Sequence, residues 1–176
     1  MPTSNTLVIF YSRTGTTAKL AESIAQATGA DVERLTDTVE RQGALGFLRS
    51  IYDATFRRGT KLNPLRVDPT GYQLVIVGTP DWGRSVSAPV RSFLTTYKNR
   101  LPRVAFFLTD GDKEHDGVFA DMATLVGRQP VARLGISQHD VLEGVYLNRV
   151  TDFVRSLPVL VPMAPVKATV PAEAHF

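Results

Sequence analysis

The densest run of hydrogen-bonding side chains is Ser12-Arg13-Thr14-Gly15-Thr16-Thr17, with four hydroxyls in six positions around a single glycine. It stands between a short apolar run rich in β-formers, Thr6 to Tyr11, and a segment where Ala18, Leu20, Ala21, Ile24 and Ala25 recur at helical spacing. A hydroxyl-rich turn leading from a strand into a helix is an anion cradle. The first N–H groups of the helix point outward without intrahelical partners, the helix dipole favours negative charge, and short hydroxyls donate further hydrogen bonds. Gly15 has no Cβ and lets the backbone approach the anion closely. Ordinary helix capping would use one such hydroxyl. Four exceed that need, so the loop is expected to bind a phosphate.

Two further loops carry chemistry. Thr79-Pro80-Asp81-Trp82-Gly83 holds the only tryptophan of the chain, in a turn where core packing is not the default. Thr109-Asp110-Gly111-Asp112-Lys113-Glu114-His115-Asp116-Gly117 is crowded with carboxylates. Carboxylates and His115 are metal-ligand types, but their spacing matches no metal motif, so no metal is expected. His139 and His175 have no triad context and are read as surface residues.

The elements that must position these loops follow from hydrophobic patterning. Thr6–Tyr11, Gln73–Thr79 and Arg103–Thr109 are continuous apolar runs suited to strands buried on both faces. Asp31–Thr36 and Ala132–Ser137 are further strand candidates. Helices are predicted from Ala18 to a stop at Gly29, over Ala44–Phe56, from about Pro89 to Lys98, over Val118–Val126 and over Tyr146–Leu157. Strands alternating with helices imply a parallel, doubly wound sheet covered on both faces. Such sheets bind ligands outside the carboxyl ends of their strands. The chemistry is therefore expected in the loops Ser12–Thr17, Thr79–Ser85 and Thr109–Gly117.

Composition narrows the function classes. With 176 residues and 43% hydrophobic content the chain suits one domain, expected over 1–157, with a proline-rich tail at 158–176. The absence of cysteine removes disulfides, thiolate nucleophiles, iron–sulfur clusters and cysteine-ligated zinc. Residues 1–6 lack the pattern of a signal peptide and no apolar stretch is long enough to cross a bilayer, so a cytoplasmic protein without membrane contact is expected. The net charge of +3 is uneven. Arg41 to Arg66 carries six basic residues against Asp53, leaving −2 for the rest. Such a patch reads first as a solvated helix face and second as a docking surface for an acidic partner. No nucleic-acid-binding motif accompanies it.

Ser12-x-Thr14-Gly15-x-Thr17 resembles the phosphate-binding loop of the flavodoxin family, with Thr16 where the family often has asparagine. Gly78-Thr-Pro-Asp-Trp82 and the following Ala88-Pro-Val-Arg-Ser-Phe-Leu94 are similar to that family's Gly-Thr-Pro-x-Trp loop and helix. Gly46-Phe-Leu and Tyr52-Asp-Ala resemble a segment of one bacterial branch. The likeness spans residues 6–157. It implies a flavodoxin-like three-layer α/β/α sandwich on a five-stranded parallel sheet of order 2-1-3-4-5, with flavin mononucleotide (FMN) at the carboxyl ends. By resemblance, Ser12, Thr14, Gly15, Thr16 and Thr17 hold the phosphate. Arg13 can assist them, although in the family that side chain often faces solvent. Thr79, Pro80, Asp81, Trp82 and Gly83 flank the isoalloxazine ring, with Trp82 stacking on it. Thr109, Asp110 and Gly111 meet its polar edge, where the family usually has a Gly-rich Thr/Ser-Gly-Gly stretch. Asp81 stands where the family commonly has an apolar residue. Its carboxylate either lowers the flavin's reduction potential or points to solvent without effect.

Other doubly wound proteins fit less well. A response-regulator receiver needs acidic residues where Ser12-Arg13 stand, an aspartate at Thr79-Pro80 and a lysine at Ser137-Gln138. A nicotinamide-binding first turn needs two more glycines, and a P-loop needs Gly-Lys-Ser/Thr. Within the flavin reading the first expectation is an electron-transfer protein served by a redox partner protein or an NAD(P)H reductase. The alternative is an FMN-dependent NAD(P)H:quinone-type reductase, in which a homodimer would build a substrate pocket over the flavin. A third reading is a binding module of the same fold that has lost FMN, supported by the altered 109–117 loop.

Overall fold

The computed structural model describes residues 3–38, 59–110 and 116–160. The helix predicted over 44–56, residues 111–115 and the tail beyond Leu160 lie outside the described residues.

Five strands form one sheet: β1 (Thr6–Phe10), β2 (Asp31–Arg34), β3 (Leu74–Pro80), β4 (Arg103–Asp110) and β5 (Arg133–Ser137). The order is β2-β1-β3-β4-β5 and every pairing is parallel, as the resemblance implied. The described helices are α1 (Thr16–Thr28), α2 (Ala88–Thr96), α3 (Asp116–Val126), α4 (Gln138–Glu143) and α5 (Leu147–Ser156).

The period-two alternation of the strands divides the core. Leu7, Ile9, Val75, Val77, Val104 and Phe106 face one side with Phe93 and Leu94 of α2 and Val118, Met122 and Val126 of α3. Val8, Phe10, Ile76, Ala105 and Phe107 face the other, with Leu20, Ala21 and Ile24 of α1 and Val150 and Phe153 of α5. Burial on both faces explains why β1, β3 and β4 read as continuous apolar runs.

Gly78 sits in the central strand beside Phe107 on β4. A Cβ there would fall 2.0 Å from the Phe107 ring, so the bare backbone is the surface on which that ring packs. The short α4 was not predicted. Six residues are too few for helical periodicity, and it is held by its ends: Ser137 Oγ accepts from Asp140 N at 3.0 Å, and Gly144 closes it at φ +76°.

At the amino ends of the strands, Asp31 accepts hydrogen bonds from the Thr3 backbone and hydroxyl, the Ser4 N–H and the Tyr72 phenol. Burial pushes the Asp31 carboxyl up, but these donors outweigh it and hold it below the usual aspartate value. Burial, then the bond to Asp31, push the Tyr72 phenol up to about 12 from 10.0. A raised phenol pKa stabilises the fold fully below pH 10 and ceases to do so as pH climbs to 12. Thermal stability is thus expected to fall between those values, and Tyr72→Phe should flatten the fall. An equally steep decline in the variant would assign it to other groups.

Candidate functional site

In this strand order the chain runs from β1 outward to β2 and then back across β1 to β3, so the winding direction reverses at β1 and β3. The loops that leave these two strands splay apart over a crevice at their carboxyl ends. Tyr11 N donates to Gly78 O at 3.1 Å and Asp81 N to Thr109 O at 2.8 Å, so pairing persists to the lip of the crevice.

The 12–17 loop is pre-shaped from within. Ser12 is buried, its Oγ accepts from Gly15 N at 3.1 Å, and its carbonyl accepts from Arg34 Nη2 at 2.8 Å. Gly15 occupies the N-cap of α1 at φ +97°, a backbone state costly for any residue with a Cβ. No side chain caps α1, and a Cβ on Gly15 would meet no residue beyond its immediate chain neighbours. The helix therefore begins with its first N–H groups unclaimed by a side-chain cap. Thr14 is exposed at this opening, and Thr16 is buried beside it. Thr17 is turned inward, its Oγ1 2.7 Å from Thr109 Oγ1, and this buried hydroxyl pair joins the start of α1 to the end of β4.

The loop after β3 is a tight two-residue turn. Trp82 N donates to Ser85 O at 3.1 Å, Asp81 bridges to Val86, and Gly83 and Arg84 both have positive φ, at 60° and 63°. That pair of angles is the signature of a type I′ turn. The Asp81 carboxylate accepts from Ser85 N at 3.0 Å and so helps close the turn. Trp82 is only 7% exposed and meets Tyr11 edge to face at 5.5 Å between centroids. The tryptophan that sequence placed in an open loop thus roofs the core as well as reaching the crevice. Thr79 is 0% exposed; its hydroxyl oxygen lies 2.9 Å from Pro80 O and 3.0 Å from Ser87 Oγ, and accepts from Ser87 N at 3.2 Å.

A cleft of about 150 Å³ lies between these loops. Arg13, Thr14, Thr16 and Thr17 form one wall, Pro80, Asp81 and Trp82 a second, and Thr109 and Asp110 the floor. Nine of the residues expected at the site from sequence therefore converge on one opening. Ser12 and Thr79 support it from behind, Gly83 forms the tip of the turn, and Gly111 lies outside the described residues. Gln138, at the start of α4, also lines the cleft and was not foreseen, because sequence reading placed no site element after β5. A larger groove of about 500 Å³ lies at the opposite end of the sheet, among Thr6, Thr28, Leu74, Leu157 and Leu160. It stands at the amino ends of the strands, away from the ligand edge of a parallel sheet.

Among the described residues no group of three or more histidine, cysteine, aspartate or glutamate side chains is placed to hold a metal, and no helix is long and apolar enough to cross a membrane.

No protein-family model and no curated protein matches the chain. Solved structures do match it. A flavoprotein from Lactobacillus acidophilus, determined in complex with FMN, superposes with a TM-score of 0.65 at 18% identity, covering 83% of this chain and 97% of that one. The FMN-free form of the Lactobacillus acidophilus flavoprotein, determined by NMR, gives 0.53 at 20% identity over 78% and 95%. A candidate flavoprotein from Bacteroides uniformis gives 0.67 at 19% identity over 81% and 97%. Strand order, parallel pairing and these superpositions establish that the chain has the flavodoxin-like fold.

Proposed function

We propose that this chain is an FMN-binding electron-transfer protein that holds its cofactor at the carboxyl ends of β1, β3 and β4. The observation that carries the reading is the uncapped start of α1 behind a hydroxyl-rich loop. A serine or threonine N-cap would take up one of the first N–H groups of the helix. Here Ser12 Oγ bonds the Gly15 N–H, no side chain caps the helix, and Thr16 and Thr17 line the cleft. That a flavoprotein of the same fold binds FMN supports the choice of ligand.

In this reading the Thr14 and Thr16 hydroxyls and the first amides of α1 hold the phosphate. Arg34, by fixing the Ser12 carbonyl, keeps the loop in its anion-binding shape. The turn of Pro80 to Trp82, with Thr109 and Asp110, borders the ring. The bound flavin supplies one- or two-electron transfer, and the surrounding protein sets its potential. Asp81 and Asp110 both line the cleft and oppose the gain of negative charge there. The Asp81 carboxylate accepts from Ser85 N, and Asp110 is buried. Asp81→Asn and Asp110→Asn should each raise the midpoint potential. Removing one unit charge from a partly screened site is worth roughly 1 kcal/mol, or on the order of 50 mV per electron. Redox titration of the two variants checks this, and unchanged midpoints in both would place the carboxylates outside the ring's field.

The test of function is the absorbance of the purified protein with added FMN and then NADPH. A flavin spectrum that NADPH leaves unchanged, and that bleaches once a flavodoxin reductase is added, is the expected result. Direct bleaching by NADPH would make the chain a reductase. No flavin bound after reconstitution would overturn the FMN reading.

A further inference from the structure

The ion pair between Arg91 and Asp121 does more than join two helices. Arg91 projects from α2 and Asp121 from α3, with Arg91 Nη2 2.7 Å from Asp121 Oδ2. The side chains are only 7% and 15% exposed. The same Nη2 also donates to Ser85 Oγ at 3.2 Å, a buried contact. Ser85 lies directly across the turn from Trp82: its carbonyl accepts from Trp82 N and its N–H donates to Asp81. One guanidinium thus connects α3, α2 and the turn that forms a wall of the cleft.

The choice of residue fits this task. A guanidinium is planar, permanently charged and able to serve several acceptors from a fixed frame, which a methylene chain or a neutral amide cannot do. Burying it is costly unless its hydrogen bonds are made. Arg91 Nε has no hydrogen-bond partner among the described residues, so the Nη2 contacts to Asp121 and Ser85 are what hold the group in place. The turn itself depends on such a hold. Its tip carries Arg84, a non-glycine residue, at φ +63°, a conformation that costs energy and persists when the surroundings fix it. α3 is the helix entered by the chain that leaves β4 at Asp110, so the strut relates the second loop of the site to the element following the third.

We propose that Arg91 is a positioning residue: anchored by Asp121, it holds Ser85 and through Ser85 fixes the turn that presents Trp82 to the cleft. The consequence for the cofactor rests on the FMN reading above. A loosened turn would weaken contact with the ring and leave the phosphate loop untouched.

Trp82 is the only tryptophan, so its fluorescence reports on this turn alone. Acrylamide quenching is measured on the full chain freed of flavin, in wild type, Arg91→Met, Ser85→Ala and Ser85→Thr. At least a twofold rise in the quenching constant is expected for Arg91→Met and Ser85→Ala, with Ser85→Thr, which keeps the hydroxyl, close to wild type. Ser85→Ala retains the Arg91–Asp121 pair and decides the matter if Arg91→Met does not fold. FMN and riboflavin titrations of Ser85→Ala should both weaken about fivefold, with the preference for FMN unchanged. Quenching unaltered in Ser85→Ala would overturn the proposal and leave the pair as helix packing. A wild-type chain that binds no FMN would instead overturn the FMN reading, while the quenching series still judges the strut.

Discussion

Replacing Thr14 with glutamate is expected to weaken FMN binding by at least about 100-fold while leaving the fold intact. Thr14 is exposed at the mouth of the cleft, so a longer charged side chain meets solvent, not core. Two like charges about 4 Å apart repel by roughly 4 kcal/mol at an effective dielectric of 20. Screening at an exposed site reduces that figure, but a phosphate carries up to two charges, so the expected cost is about 3 kcal/mol. Flavin fluorescence titration reads the affinity, and the melting temperature shows that the fold survives. The equivalent change at Thr17 would be a poorer test. Its hydroxyl is buried against Thr109, and a carboxylate there would be forced into the core and destabilise the whole chain. Thr14→Glu binding FMN as wild type would remove the loop from the site.

The second large effect concerns the scaffold. Gly78→Val should cost about 3 kcal/mol or more and lower the melting temperature by roughly 6–12 °C. An added Cβ would lie 2.0–2.5 Å from three carbons of the Phe107 ring, and Phe107 is itself fully buried in the central part of the sheet. Neither partner can retreat easily, because Gly78 is paired to Phe10 on one side and to Phe107 on the other. Shortening the ring relieves the conflict. Phe107→Leu should therefore be less harmful beside Gly78→Val than alone, a coupling that a double-mutant cycle by thermal unfolding will show. Additive effects would mean that the ring has another place to go.

The elements that carry the site were legible because their signals are local. Three apolar runs bounded by turns gave β1, β3 and β4 to within a residue or two, and Gly29 marked the end of α1 at φ +63°. The 12–17 loop was legible for the same reason, since hydroxyls, glycine and helix start are contiguous. What escaped is tertiary. The burial of Trp82 depends on Tyr11, which leaves β1, and a turn tryptophan has no sequence mark for that contact. Thr79 looked like a ligand-facing hydroxyl, but Ser87 at the start of α2 takes it up from behind. Gln138 enters the cleft on a helix held by its caps and too short to show periodicity. Arg91 sat unremarked in an amphipathic stretch because its partners, Ser85 and Asp121, come from a turn and from another helix.

In the proposed function the uncapped start of α1 binds a phosphate that belongs to a flavin. Riboflavin has the same ring as FMN but lacks the phosphate, so comparing the two ligands isolates that contact. Titration of the flavin-free chain, followed by quenching of flavin fluorescence, should show FMN bound at least about 100-fold more tightly than riboflavin, a margin of roughly 3 kcal/mol. Equal affinity for the two, or none for either, would rule out that phosphate contact.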